Sequence, residues 1–336
     1  MWWLVVAGAV EGMTTAQRSL SPFRSSALQK GNFLFQSSEA VKEHSVATSP
    51  PSVTTGKRTA AVGAVAAARE TASGPLVLVG PEGLLSAELC GELSCLGGRR
   101  RRLCAVASEA TDDGDVVLAP YAEELGATLS SSMSSSCSIL LNDNTLAPET
   151  LDALREATSY EIPVFAEPFR EKPLALAKEI ARLDALARRE GQETTALTFG
   201  LDTFFLSLTY ADLATPGPEI LREFGSEVDM LEVRADLLSC VQRQFLERHP
   251  ADGKAAAREC CSEVLEQLAI LRRDLAEAGF ARGDGDFSSE DAMAMPLLFT
   301  ARSKSQCGAL VDDAAAVYAL AAVGARAGVE WVDVEA

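Results

Sequence analysis

In the stretch Leu231-Glu232-Val233-Arg234-Ala235-Asp236, charged and apolar residues alternate. A period of two puts Glu232, Arg234 and Asp236 on one face of a strand and Leu231 and Val233 on the other. Arg302 follows Phe299-Thr300-Ala301 at the end of a second strand-like run, and Asp333 and Glu335 close a third, from Trp331 to Glu335. Charges where an apolar run should continue either form an ion pair that sets strand register or line a floor on which a ligand is bound and turned over. Buried pairs are weak stabilisers, which favours the second reading. Charged positions near the carboxyl ends of successive parallel strands are where a TIM barrel builds its active site.

A second candidate lies upstream. Pro75-Leu-Val-Leu-Val-Gly80 reads as a buried strand, and Leu84 to Leu96 as a helix. Strand, glycine turn and helix open a phosphate-binding βα unit, in which backbone amides and a helix amino end meet an anion. The turn is Gly80-Pro-Glu-Gly83-Leu-Leu-Ser86. A working P-loop needs a lysine to neutralise the phosphates and a hydroxyl for magnesium. Leu84 and Leu85 occupy that region, Glu82 adds negative charge, and no lysine lies between Lys57 and Lys172. An α/β domain without nucleotide chemistry is the expectation. Arg99 to Arg102 reads as the solvated end of a helix.

Metal chemistry finds no support. The eight cysteines, at 90, 95, 104, 137, 240, 260, 261 and 307, have no CxxC spacing, and the two histidines, His44 and His249, have no cysteine within four residues. They read as buried thiols of a reducing compartment. A net charge of −18 argues against nucleic acid as a partner.

The elements that must carry these residues alternate. Hydrophobic residues at 47% and a length of 336 allow a packed core and about two domains. After Pro148 a short helix through Leu151 and Leu154, a strand at Ile162 to Phe165 and a helix at Leu174 to Ala187 are expected, with Ser130 to Ser138 a flexible loop. Strands at Phe204 to Tyr210, Met230 to Arg234, Leu297 to Arg302 and Trp331 to Glu335 follow. Between them lie helices at Pro218 to Phe224, Ser262 to Ala278 and Asp312 to Ala327. Strands separated by helices predict parallel βαβ units. Gly283 to Asp291 reads as an acidic surface loop.

Residues 1–58 differ from the rest: six basic and three acidic residues leave them at +3 against −21 for the remainder, with fourteen Ser or Thr. The apolar run Trp2 to Val10 is far short of the ~20 residues that cross a bilayer, so no membrane anchor is expected. The segment is either a transit peptide, with that run as a signal core, or a disordered start. The compartment stays open between cytoplasm and plastid.

Five motifs in order then carry a resemblance: Phe204-Phe-Leu-Ser-Leu-Thr-Tyr-Ala-Asp-Leu213, Glu232-Val-Arg-Ala-Asp-Leu-Leu238, Glu266-Gln-Leu-Ala-Ile-Leu-Arg-Arg273, Leu298-Phe-Thr-Ala-Arg-Ser-Lys-Ser-Gln306 and Val332-Asp-Val-Glu335. Together they resemble type I 3-dehydroquinate dehydratase. The version most similar is the dehydratase segment of the pentafunctional arom polypeptide and the related quinate repressors, over roughly residues 200 to 336. In arom proteins a shikimate kinase domain precedes that segment, and Leu76 to Leu96 resembles a worn form of its strand, loop and helix.

Beyond the leader that composition marks over 1–58, the resemblance implies a degenerate shikimate-kinase-like α/β domain over 59–195, and over 196–336 the first (βα)4 half of an aldolase-type TIM barrel. It implies conversion of 3-dehydroquinate to 3-dehydroshikimate through a lysine imine, with a histidine moving the proton and no cofactor or metal. An iminium drains electron density from the adjacent C–H bond, so a near-neutral base suffices. Glu232 and Arg302 would hold substrate hydroxyls, Arg234 would support the same floor, and Ser207 would contact substrate from the first strand. Gln306 stands where stand-alone enzymes orient the histidine with Glu. An amide can orient an imidazole but cannot stabilise its charge as a carboxylate would.

Neither His249 nor Lys304 matches a catalytic position of that family, whose histidine and lysine lie on strands after the Val332-Asp-Val-Glu335 strand. With four of eight strands, the sequence is expected to be a fragment of a longer enzyme, or a unit completed by a partner; alone it is expected to be inactive. A shikimate dehydrogenase domain would follow in the full-length protein. The second reading is a regulatory, repressor-like protein that binds quinate-type ligands without turning them over.

Overall fold

The computed structural model describes residues 4–6, 74–84, 87–95, 102–104, 115–121, 137–188, 204–249, 252–280 and 295–333. All of them belong to one compact unit, formed by Met1–Ala16 and Arg69–Ala336. The chain is α/β, with two five-stranded sheets in which every neighbouring pair is parallel.

The first sheet takes β2 (Leu76–Gly80), β3 (Arg102–Cys104), β4 (Asp115–Pro120), β5 (Cys137–Asn142) and β6 (Tyr160–Pro163) in the order β3-β4-β2-β5-β6. All residues of β2 and β5 are buried, as a parallel sheet covered on both faces requires. Leu76 and Leu78 pack with α1 (Ala87–Cys95) and α3 (Pro173–Arg188), while Val77 and Val79 face Leu154 of α2 (Pro148–Ala157). Gly80 lets β2 approach β5, because a Cβ there would stand 3.0 Å from that of Leu141.

Three of these strands lie outside the sequence expectation, and two elements are corrected. The loop expected at Ser130 to Ser138 ends inside β5: Ser138 is buried, its hydroxyl paired with that of Ser159 at 3.3 Å. The strand expected at Ile162 to Phe165 begins at Tyr160 and ends at Pro163.

The second sheet runs β1-β7-β8-β9-β10, from β1 (Leu4–Val6) through β7 (Phe205–Leu208), β8 (Met230–Arg234) and β9 (Leu297–Thr300) to β10 (Trp331–Asp333). The last four are the expected strands. Leu4–Val6, within the run read as a signal core, is a strand beside β7. Leu206, Leu208, Leu231, Val233, Leu297 and Phe299 turn one face onto α4 (Gly217–Gly225), α6 (Gly253–Leu275) and α7 (Ala314–Arg326); a four-residue helix, α5 (Ser239–Gln242), follows β8. In α6 the residues Ala257, Cys261, Val264, Leu268 and Leu271 recur at the helical period that makes one buried stripe. Asp252 and Asp313 cap α6 and α7 by accepting from Ala255 N and Ala315 N.

No described helix is long and apolar enough to cross a membrane. Cys137, Cys240, Cys260 and Cys261 are buried thiols as expected, but Cys90 is half-buried and Cys307 is exposed. Of the basic cluster Arg99 to Arg102, expected at the end of a helix, Arg102 instead opens the strand β3 and the rest lies outside the described residues, as do the acidic loop at 283–291, Glu335 and most of the leader.

Candidate ligand-binding site

The parallel register decides which side chains of the second sheet can meet. Ser207 on β7 pairs with Glu232 on β8, and Arg234 pairs with Thr300 on β9, which in turn pairs with Asp333 on β10. Paired positions point to one side, so Ser207, Glu232, Arg234, Thr300 and Asp333 share the face opposite the helix-packed leucines.

On this face Arg302, two residues beyond β9, stands between two carboxylates. Its Nη2 lies 3.8 Å from Glu232 Oε1 and 3.7 Å from Asp333 Oδ2. Those separations give Coulomb attraction but exceed hydrogen-bond length. Glu232 Oε1, Ser207 Oγ and Thr300 Oγ1 are buried and have no hydrogen-bond partner among the described groups. A buried polar atom left unpaired costs about 1–3 kcal/mol, so three on one face mark a place where a polar ligand gains by supplying the partners.

Arg234 is engaged differently. Its Nε and Nη2 each donate to Asp236 at 2.9 Å, a bidentate fork. Asp236, fully buried, also accepts from Ala309 N at 3.0 Å, so one carboxylate ties the end of β8 to the loop after β9. That loop is closed on itself: Leu310 N donates to Arg302 O, Lys304 N to Leu310 O and Gly308 N to Ser303 O. Asp312 accepts from Ser305 N at 2.7 Å, and this bond holds its carboxyl below the usual range. Gln306 faces neither carboxylate of the cluster; its Oε1 accepts from Ser303 N at 3.4 Å in a capping box.

Of the residues singled out in the sequence, Glu232 and Arg302 are brought together with Asp333. Ser207 lies beside them, Arg234 braces the loop through Asp236, and Gln306 caps a turn. Thr300 escaped notice, although its place opposite Phe299 in the alternation put it on the polar face. The group as a whole can accept from hydroxyls at Glu232 and Asp333 and donate from Arg302 and the Ser207 and Thr300 hydroxyls. Among the described residues no cluster of His, Cys, Asp or Glu could hold a metal ion.

In the first sheet, the connection leaving β2 runs toward β3 and that leaving β5 toward β6, so the order reverses between β2 and β5. Such a switch point, at the carboxyl ends of the strands, is where open α/β sheets bind ligands. Here it holds the Gly80 turn, closed by Leu84 N donating to Pro81 O, and the start of the segment after Asn142. Asn142 donates to Glu161 at 2.8 Å, Asp143 accepts from Thr145, and Tyr121 donates its hydroxyl to Leu141 O. These polar groups bond to one another.

No protein-family model matches the chain. It is similar to the pentafunctional AROM polypeptide of Malassezia globosa, 35% identical over 133 residues. Those residues are 39% of this chain, and they span 6% of the length of that relative, so the likeness is to a small part of a much larger polypeptide.

Proposed function

We propose that the second sheet carries the substrate floor of a shikimate-pathway dehydratase of type I, as the first (βα)4 half of an aldolase-type barrel, and that its ligand is 3-dehydroquinate. The observation that carries this is the cluster of Glu232, Arg302 and Asp333 at the carboxyl ends of adjacent parallel strands, with unpaired Ser207 and Thr300 hydroxyls beside it. The similarity to the AROM polypeptide supports the same pathway.

In this reading Glu232 accepts from a ring hydroxyl, Arg302 donates to a second oxygen, and Ser207 completes the contact from β7. Arg234 acts through Asp236 by holding the loop that follows Arg302. The reaction of that enzyme class joins a lysine amine to the substrate ketone with loss of water, draws a proton from the adjacent carbon, expels hydroxide from the next carbon as water, and hydrolyses the imine to free the lysine and the product ketone. What residues 204–333 contribute is orientation: the ring is fixed so that the C–H bond lies along the iminium orbital. Residues 59–195 are, on the same proposal, a degenerate shikimate-kinase-like module. With Glu82 in its turn and no lysine between Lys57 and Lys172, it lacks the groups of phosphate chemistry.

Borohydride trapping with 3-dehydroquinate on the protein from a full-length transcript, read by intact mass, tests the proposal. A reduced adduct on lysine is expected. The missing phosphate lysine near Gly83 favours a second reading, a ligand sensor similar to the quinate repressors. Calorimetric binding of 3-dehydroquinate or quinate without any adduct would select it, and the absence of both binding and adduct would refute the two together.

A further inference from the structure

Asp333 belongs to the polar cluster only because β10 is in register, and β10 has little of its own to secure that register. It is three residues long, half-buried, and hydrogen-bonded in the sheet to β9. A slip of one residue would turn Asp333 to the opposite face. Short edge strands of this kind need an outside constraint.

That constraint comes from two helices, α6 of the same sheet and α3 of the other. Glu330, immediately before β10, accepts from Arg272 of α6 at 2.9 Å and from Arg182 of α3 at 3.3 Å, and its Oε2 accepts from Leu297 N, the first residue of β9, at 2.9 Å. Arg182 also donates to Gly328 O at 2.7 Å and is itself held by Glu179 through two bonds, at 2.6 and 2.9 Å. Gly328 sits at φ +65°, and a Cβ there would fall 2.1 Å from Leu183 Cδ2, so the turn before β10 is pressed against α3. Glu179 and Glu330 both stay below the usual carboxylate range, although burial pushes each upward, because the two arginines outweigh it.

We infer that Arg182, with Arg272, is a positioning residue: by gripping Glu330 it sets the register of β10, so that α3 of the first sheet places Asp333 in the polar cluster of the second. The effect on ligand rests on the function proposed above; the effect on register does not. Arg182 touches no residue of the cluster, and its influence passes through Glu330 and three residues of strand.

The test uses the whole chain carrying Arg182→Met, which keeps the stem and removes the fork, with the isosteric Glu330→Gln as a second variant should the first not fold. Hydrogen exchange of peptides spanning 297–300 and 330–333 is read against peptides spanning 76–80 and 137–142. Exchange at least tenfold faster in the first pair and unchanged in the second is expected for either variant; unaltered exchange in β9 and β10 would overturn the inference. Calorimetry with 3-dehydroquinate then compares Arg182→Met in the wild-type and Asp333→Asn backgrounds. A tenfold or greater loss of affinity in the first and none in the second is expected, because both changes remove the same carboxylate from the floor. Equal losses in both backgrounds would show general damage and reject positioning. If the unmodified chain binds no 3-dehydroquinate, the functional reading fails, and exchange alone decides the register.

Discussion

Replacing Arg302 with Ala removes the cation that, among the described residues, the second sheet sets between Glu232 and Asp333. At 3.8 Å and an effective dielectric of about 20, its attraction to Glu232 is about 4 kcal/mol before desolvation is counted. Glu232 is 1% exposed and Arg302 17%, whereas Asp333, at 29%, is more screened, so the buried carboxylate dominates. Stripping one partner from such a pair leaves a buried charge, and a loss of about 3–5 kcal/mol follows. Glu232→Gln should cost less, about 1–2 kcal/mol, since Arg302 keeps Asp333 and the amide can still accept. The double variant should fall short of the sum by about 2 kcal/mol, because the second change removes the charge that the first exposed. Urea unfolding followed by tryptophan fluorescence reads this, with Trp331 on β10 as a local reporter. A coupling below about 0.5 kcal/mol would refute the reasoning, since distant independent sites already add within that margin. The same Arg302→Ala variant should lose about 2–5 kcal/mol of affinity for 3-dehydroquinate, and unchanged affinity would remove Arg302 from the site.

Gly308→Ala should weaken ligand binding at least tenfold, because its Cβ would fall 2.1 Å from the Arg302 carbonyl oxygen, whereas Gly83→Ala, with nothing within 4 Å, should leave the melting temperature within a degree or two. Calorimetry and thermal denaturation compare the two directly. Burial pushes the Cys240 thiol up to about 11 and Cys261 up to about 12, and raises Cys260 as well, all from an ordinary value of 9.0. Above pH 9 the unfolded chain releases these protons while the folded chain keeps them. Stability should therefore be constant in this respect below pH 9 and fall above it, by up to about 1.4 kcal/mol per thiol per pH unit, until about pH 11 for Cys240 and about pH 12 for Cys261. Urea midpoints at pH 8, 9.5 and 10.5 should show the fall, and a variant with alanine at all three positions should lose it; an identical slope in that variant would reject the assignment. Arg155→Ala should cost about 3–5 kcal/mol, because Glu161 would lose a bidentate partner in a buried site, while Ser262→Ala should cost about 1 kcal/mol. Equal midpoints for the two variants in urea would contradict that ranking.

The sequence made the second sheet easier to read than the first, for a physical reason. Between Leu206 and Phe299 the charged residues interrupt apolar runs at a period of two, so strand, face and candidate site are visible together. In the first sheet β5 begins Cys137-Ser138, at the end of a serine-rich run, and only Ile139 to Leu141 look like core. Burial of Ser138 depends on Ser159, 21 residues away, whose hydroxyl satisfies it. The start of α6 was hidden likewise: Gly253 looks like a helix breaker, but it is the point where a Cβ would collide with Ala316 of α7 at 2.4 Å. Charge pairing was legible in kind but not in partner. Alternation put Glu232, Arg234 and Asp236 on one face, yet which acid takes Arg234 depends on the 3-10 turn Ala235–Leu237, which swings Asp236 back onto the guanidinium.

The Gly80–Gly83 turn and the polar cluster of the second sheet differ in how far each is tied to the contacts between the two sheets. Ala269 of α6 packs into the core of the first sheet, Arg155 donates to Ser262, and Arg326 of α7 donates to the carbonyls of Arg155 and Thr158. Buried polar networks of this kind are costly to break in part, because each lost partner leaves another group unpaired. Substitutions in the Gly80–Gly83 turn meet open space at Gly83 and touch none of these contacts. Changes in α3, β6 or the turn after α2 would disturb the second sheet as well. The first sheet is thus held to its fold by packing and hydrogen bonds to α6 and α7, whatever becomes of the turn at its strand ends.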